Sequence, residues 1–334
     1  STEPYYDAKN ATGSPLSPYE SGRSLIGCAN GWSVTEVGGA LAWIAQTKDQ
    51  GRSVFMMRGV QQSKVSTPDV DRILNADDLA TVYAYGVNLD GHMLYILTLV
   101  TSNLTLVYDF NSQHWYLWTS YTLGETIGGT VTITRSGTTA TYTSTNAHNI
   151  ADGEPALISG CTQTEYNGIF QTQYVSTTSF TFQVSGSPAT PATGSPVIKP
   201  YTESYFKFTQ YADCAGLNLM LHASDGHLYK IDSSLSRDAG IPINYLARSQ
   251  RLDGNTSRRK SMGRATLIGN SVSDTAMLRW SDDDYATNRP YRIVDLSQPK
   301  SMVRQCGSFV DRSMEVKHIG NTQPIWDAIE LEIQ

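Results

Sequence analysis

"YAYGVNLDGHMLYILTLVTSNLTLVYDFNSQHWYLWTS", Tyr83 to Ser120, decides the fold class. Four strand-length runs (Thr81 to Val87, Met93 to Leu99, Thr105 to Asp109 and His114 to Trp118) are parted only by "NLDG", "TSN" and "DFNSQ". Tyr, Val, Ile and Leu suit a pleated, half-buried surface, and Asp, Gly, Asn and Ser suit tight turns, so the stretch predicts a four-stranded antiparallel meander.

The same style extends in both directions. Upstream, Trp43 to Ala45 and Ser53 to Met57 flank "QTKDQGR", which reads as a hairpin loop. Downstream, Leu217 to His222, Leu228 to Ile231, Arg264 to Gly269, Ala276 to Trp280 and Tyr291 to Val294 read as further strands. One helix is predicted, where Ser66, Thr67, Pro68 and Asp69 cap "VDRILNA" and Val70, Ile73 and Leu74 share a face. With 19 Tyr, 27 Gly and 17% charged residues among 334, the composition is that of a globular, strand-rich chain. The expected class is all-β, a β-propeller-like domain of antiparallel meander blades, with a pair of double-sheet sandwiches as the competing architecture.

From about Gly128 the composition changes. Residues 128–199 are rich in Thr, nearly free of Lys and Arg, and end in "SGSPATPATGSP", which reads as a linker. A small inserted β module is expected there, dividing the larger domain into a first part, 1–127, and a second part, 200–334.

A net charge of -6 argues against a surface that coats nucleic acid, since phosphate binding rests on Lys and Arg. Any DNA contact must be local, and the one basic segment is "ARSQRLDGNTSRRKSMGR". It carries Arg248, Arg251, Arg258, Arg259, Lys260 and Arg264 against Asp253, and it suits either a subunit interface or a DNA-facing edge. No run approaches the ~18 apolar residues of a membrane span, so no membrane insertion is expected. The opening "STEPYYDAKN" has neither a basic-apolar signal nor an initiator Met, which suggests a processed or truncated start.

Three features raise the question of chemistry. "DGH" occurs twice, at Asp90 to His92 and at Asp225 to His227, each time before a Tyr-bearing apolar run. Turn residues feeding a strand make it architectural punctuation at equivalent edges of different blades, in preference to a repeated catalytic or metal-binding histidine. "SDDDY", Ser281 to Tyr285, brings three adjacent carboxylates but lacks the alternate spacing and Gly of a calcium loop, so it reads as a hydrogen-bonded turn. Cys28, Cys161, Cys214 and Cys306 lie far apart with no zinc spacing. No nucleophile elbow or phosphate-cradling loop is present, so neither catalysis nor a cofactor or metal is expected.

"LIGCANGWSV" at Leu25, the run from Gly38 to Leu74, the opening meander, "SDGHLYKID" at Ser224, "LRWSDDD" at Leu278 and "RQCGSFVDR" at Arg304 follow one another in an order that resembles a known family. It is that of the tail hub or nozzle proteins of short-tailed bacteriophages, also called packaged-DNA stabilization proteins or tail accessory factors. Trp280 stands in place of the family's aromatic Tyr, Asp284 where Gly is usual, Cys306 in a Leu position, and Arg312 in the Arg position. The resemblance implies a non-enzymatic virion protein assembled in the host cytoplasm. It implies a homo-oligomeric ring, a hexamer, beneath portal and adaptor, retaining packaged DNA through transient non-specific contact, serving as conduit for its ejection and carrying tail spikes or fibres. It also likens residues 128–199 to the immunoglobulin-like or other small β modules found as inserts in phage structural proteins. The rival functions are a carbohydrate-binding or glycan-cleaving propeller and a host receptor-binding tail protein.

Overall fold

The computed structural model describes residues 1–47, 51–232 and 234–333, so the tip of the "QTKDQGR" loop, residues 48–50, lies outside the described residues. The structure is built almost wholly from antiparallel strands, with one α-helix among the described residues. It divides into two compact units, Ser1–Ser120 with Ser204–Asp232, and Tyr121–Glu203 with Ser233–Gln334. Residues 128–199 fall within the second unit.

In the first unit the meander forms as its turns dictate. Val82–Leu89, His92–Leu99, Leu104–Asp109 and His114–Leu123 pair in sequence order, with Leu97 opposite Ala84 and Leu106. Its first turn has positive φ at both Asp90 (50°) and Gly91 (83°), the condition for the tight hairpin turn whose twist matches the strands. "HMLYILTL" does not alternate because both of its faces are covered. Tyr95, Leu97 and Leu99 pack with Ile44, Val54 and Leu74, while Leu94 and Ile96 pack with Phe208 and Met220. Each such side chain contributes ~1.5–3 kcal/mol by leaving water.

The helix runs Pro68–Ala76, starting two residues before the predicted apolar face begins at Val70, with Thr67 as N-cap accepting from the Val70 amide. Ser66 ties it to the sheet, accepting from Val54 N (2.9 Å) and donating to Asp71 (2.6 Å), and Val70 and Leu74 enter the core. Ala40–Thr47 and Gly51–Arg58 pair on either side of the expected hairpin loop.

Among the described residues the second unit holds two large cores, beside a small cluster of Tyr121, Tyr201 and Ile319. One spans residues 127–198. Val131–Ser136, Thr139–Ser144, Ser179–Gln183 and Gln173–Ser176 form one sheet, and Pro155–Cys161 pairs with Gly168–Gln171 and with Gly194–Tyr205. Ile133, Tyr142, Phe180 and Phe182 from the first group meet Ile158 and Ile198 from the second, with Tyr142 and Phe180 stacked at 4.4 Å. The run read as a linker is stitched into this core. Arg135 donates to the Pro188 carbonyl (3.0 Å), Tyr166 to that of Ala189 (3.1 Å), and Ala192 N to that of Ile133 (2.9 Å). Small residues there allow the chain to lie close against the module, and composition alone does not distinguish that from a free connection.

The other core lies between a sheet of Tyr245–Arg248, Ser313–His318, Thr275–Ser281 and Arg292–Asp295, in that order, and a sheet ordered Lys300–Phe309, Lys260–Gly269, Trp326–Ile333. Leu278, Trp280 and Val316 from the first meet Met262, Leu267 and Val303 from the second.

Candidate functional site

"LRWSDDD" and "RQCGSFVDR" meet at one arginine. Arg312 stands just before the Ser313–His318 strand and is 1% exposed. Its Nε and Nη2 grip both carboxylate oxygens of Asp282 at 2.6 and 3.0 Å, and its Nη1 donates to the Cys306 carbonyl at 2.7 Å. The guanidinium lies 4.4 Å from the Phe309 ring and 5.1 Å from that of Trp280. A paired fork against aromatic faces is the geometry in which a buried guanidinium is tolerated, and Lys could not reproduce it.

The "SDDDY" turn is self-contained. Ser281 Oγ donates to Asp283 (2.8 Å) and accepts from the Tyr285 amide (2.8 Å); Asp283 also accepts from the Thr287 amide (2.8 Å) and hydroxyl (2.6 Å). These bonds, the Thr287 hydroxyl first, hold the Asp283 carboxyl below the usual carboxylate range. Asp284 has φ 59°, a conformation that Gly adopts without strain, and Tyr285 follows at φ 67°. The bulky Tyr285 is held there by its hydroxyl, which donates to the Ser249 and Met314 carbonyls at 3.0 and 2.9 Å. Among the described residues no group of three or more His, Cys, Asp or Glu is placed to hold a metal ion. A cavity of about 210 Å³ beside the turn is lined by Arg251, Asp311 and the Asp282–Arg312 pair.

A second ionic cluster was hidden in the sequence. Glu315 is fully buried, receiving Arg248 Nε at 2.6 Å, Arg279 Nε at 2.7 Å and the Tyr291 hydroxyl. Burial alone would raise its pKa, but these three donors outweigh burial and leave the carboxyl below its ordinary value. The same burial and the anionic neighbour push the Tyr291 hydroxyl far above its ordinary range. Lys317 on the same face meets Glu154 at 2.6 Å, and Glu154 also accepts from Tyr121 at 2.7 Å. Around them Asp152 accepts from Tyr291 N (3.1 Å), Gln173 donates to the Tyr291 carbonyl (2.9 Å), and a Cβ on Gly153 would stand 2.5 Å from the Tyr291 ring. "SMEVKH" alternates like a half-exposed strand, yet all six residues are buried. The signal available in sequence was only the oddity of Glu and Lys alternating with Met and Val.

Half of the basic segment's cations are neutralised within the unit. Arg248 pairs with Glu315, Arg251 with Asp311 (3.6 Å) and Arg264 with Glu332 (3.3 Å). Lys260 donates to the carbonyls of Asp253, Thr256 and Arg258. Arg259 reaches only Ser308 Oγ (3.1 Å), and Arg258 has no carboxylate partner among the described residues.

The two Asp-Gly-His corners differ despite their shared letters. At the first, the His92 ring sits 2.9 Å from Asp109; burial raises the Asp109 pKa, but the Asn111 amide, His92 and Ser112 bring it below normal. At the second, Asp225 does the work, accepting from the His227 amide (2.9 Å) and Tyr229 hydroxyl (2.8 Å) with His222 at 3.1 Å. The His227 amide leads these effects, which take the Asp225 carboxyl down to about 2. Only Gly226 has positive φ there, so the repeat is one of composition and not of backbone.

Residues 6–132 match the model of a family described as Bacteriophage P22 Gp10, beta-propeller. A comparison with curated proteins finds no match. Among solved structures, similarity is found to Phage phi92 endosialidase (9% identity, 87% of this chain and 67% of that one, TM-score 0.21). A glycoside hydrolase (10%, 93% and 98%, TM-score 0.19) and an exo-inulinase from Aspergillus awamori (9%, 84% and 78%, TM-score 0.15) are also similar. Superpositions this loose carry no argument about function.

Proposed function

We propose, from the match of residues 6–132 to the model of a bacteriophage protein family, that the chain is a structural component of a phage tail. Its finer role is the hub or nozzle: a homo-oligomeric ring below portal and adaptor that retains packaged DNA, passes it at ejection and carries spikes or fibres. The family match carries this reading.

The charge distribution supports it. A conduit that must release DNA quickly needs weak, sequence-blind contact, and each phosphate neutralised by a free cation makes binding tighter and more salt-dependent. This chain has net charge -6, and four of the six cations in its basic segment are engaged by its own carboxylates and carbonyls. The function proposed is therefore mechanical, performed by geometry and not by reactive side chains. The module of residues 127–198, anchored through Asp152, Glu154 and Gln173, is the proposed platform for a spike or fibre. Mass spectrometry and antibody labelling of purified particles test the reading. The expected result is label at the tail; label confined to the unassembled lysate contradicts it.

A further inference from the structure

The sheet ordered Lys300–Phe309, Lys260–Gly269, Trp326–Ile333 carries opposite charge at its two edges. Beside the Lys300–Phe309 edge lies a groove of about 500 Å³, lined on one side by Trp280, Arg289 and Arg292 and on the other by Gln305 to Ser308. Arg312 also lines it, but that charge is met by Asp282. Among the described residues the Arg292 guanidinium hydrogen-bonds only the Arg304 and Gln305 carbonyls, and Arg289 is an exposed side chain 4.0 Å from the already paired Asp282. No carboxylate lines the groove. Its Trp280 is buried beneath Arg292 and Arg312, so no bare aromatic face is offered to a neutral sugar or a base. What the groove presents is guanidinium, which selects an oxyanion.

The opposite edge is acidic. Trp326–Ile333 hydrogen-bonds on one side only, to Lys260–Gly269. Asp327 and Glu330 are exposed there and carry no ion pair among the described residues, whereas Glu332 is held by Arg264. Large apolar side chains accompany both edges: Ile325 (62% exposed) and Tyr245, which packs against Trp326, on the acidic side, and Met302 on the basic side. An unpaired strand edge invites addition of another chain unless something covers it.

We propose that the occupant of the groove is a second copy of this chain, whose Asp327 and Glu330 enter it to pair with Arg289 and Arg292. Basic and acidic edges on opposite sides of one sheet make the contact head-to-tail, the kind that closes into a ring or continues as a filament. It supplies the contact surface for the ring proposed above and rests on that reading. Rim charges of this kind act mainly through encounter rate and salt dependence, with the exposed apolar residues adding burial.

The test uses the full chain in sedimentation velocity at low and high salt, with two variants, Arg289→Glu/Arg292→Glu and Asp327→Arg/Glu330→Arg. The expected result is wild-type assembly that weakens with salt, and single-edge variants whose self-association is weaker by at least about tenfold. In an equimolar mixture each variant's edge complements the other's groove, acidic into basic and basic into acidic, so assembly should return with the two variants alternating. The chain carrying all four reversals should assemble again, which separates loss of the contact from loss of folding. Single-edge variants that assemble like wild type, a mixture that stays as dispersed as either variant alone, or a wild-type chain monomeric at low salt would each overturn the proposal. The tail reading is decided separately, by the presence of wild-type chain in purified tails; a ring there that ignores both edges sinks this interface and leaves that reading standing.

Discussion

The two cores of the second unit reach stability by opposite routes. Residues 127–198 enclose Tyr142, Tyr166, Phe180 and Phe182 with aliphatic neighbours and a single buried histidine, His148, among the described residues. Residues 245–333 bury Arg312, Glu315, Lys317 and His318 beside an apolar core of similar size. An aromatic core is non-directional and keeps its contribution across pH and salt. A buried ion contributes only while every partner is in place, because losing one partner strands the other without water. The first region can therefore tolerate change piecemeal, whereas the second is fixed to one arrangement, consistent with its strands being the ones that seat the module and present both charged edges.

The largest effect that would sharpen this contrast is expected from Arg312→Ala. It leaves Asp282 unpaired, the Cys306 carbonyl without its donor and a void against Phe309, and should cost about 5 kcal/mol in urea unfolding. Phe180→Ala should cost about 4 kcal/mol through lost burial and a residual cavity, with no change in salt response. Equal salt sensitivity in the two variants would break the comparison.

Acid should separate the regions next. The Glu315 carboxyl is depressed by its three donors, so its stabilisation is complete above the ordinary carboxylate pKa and is lost as pH falls through the lower folded value. Hydrogen exchange is expected to show residues 245–333 opening at acid pH before residues 127–198. In the first unit, Asp225 follows the same sign and should still titrate near 2 by NMR. The smallest effect belongs to Asp284→Gly, which relieves a left-handed backbone and should stabilise the chain by about 0.5–1 kcal/mol in the same unfolding assay.

What was legible in the sequence was whatever depends on neighbours along the chain. The meander follows from Tyr83 to Ser120 because turn chemistry and strand periodicity are local, and the helix follows from its Thr67 cap. The ion network was not legible because its members converge from afar: Arg248 and Glu315 are 67 residues apart, and Lys317 and Glu154 are 163 apart. For the same reason the basic segment reads as a charged surface in one dimension, while Glu315, Asp311 and Glu332 neutralise half of it in three. The shared letters of the two Asp-Gly-His corners likewise concealed that Asp109 anchors one and Asp225 the other.

The central claim, a structural ring protein of a phage tail, is tested most directly by imaging isolated tails with this chain labelled. The account predicts label in a closed ring around the axis of the DNA path. Label on freely dissociating monomers, with release of reducing sugar from a glycan by the purified chain, would contradict it.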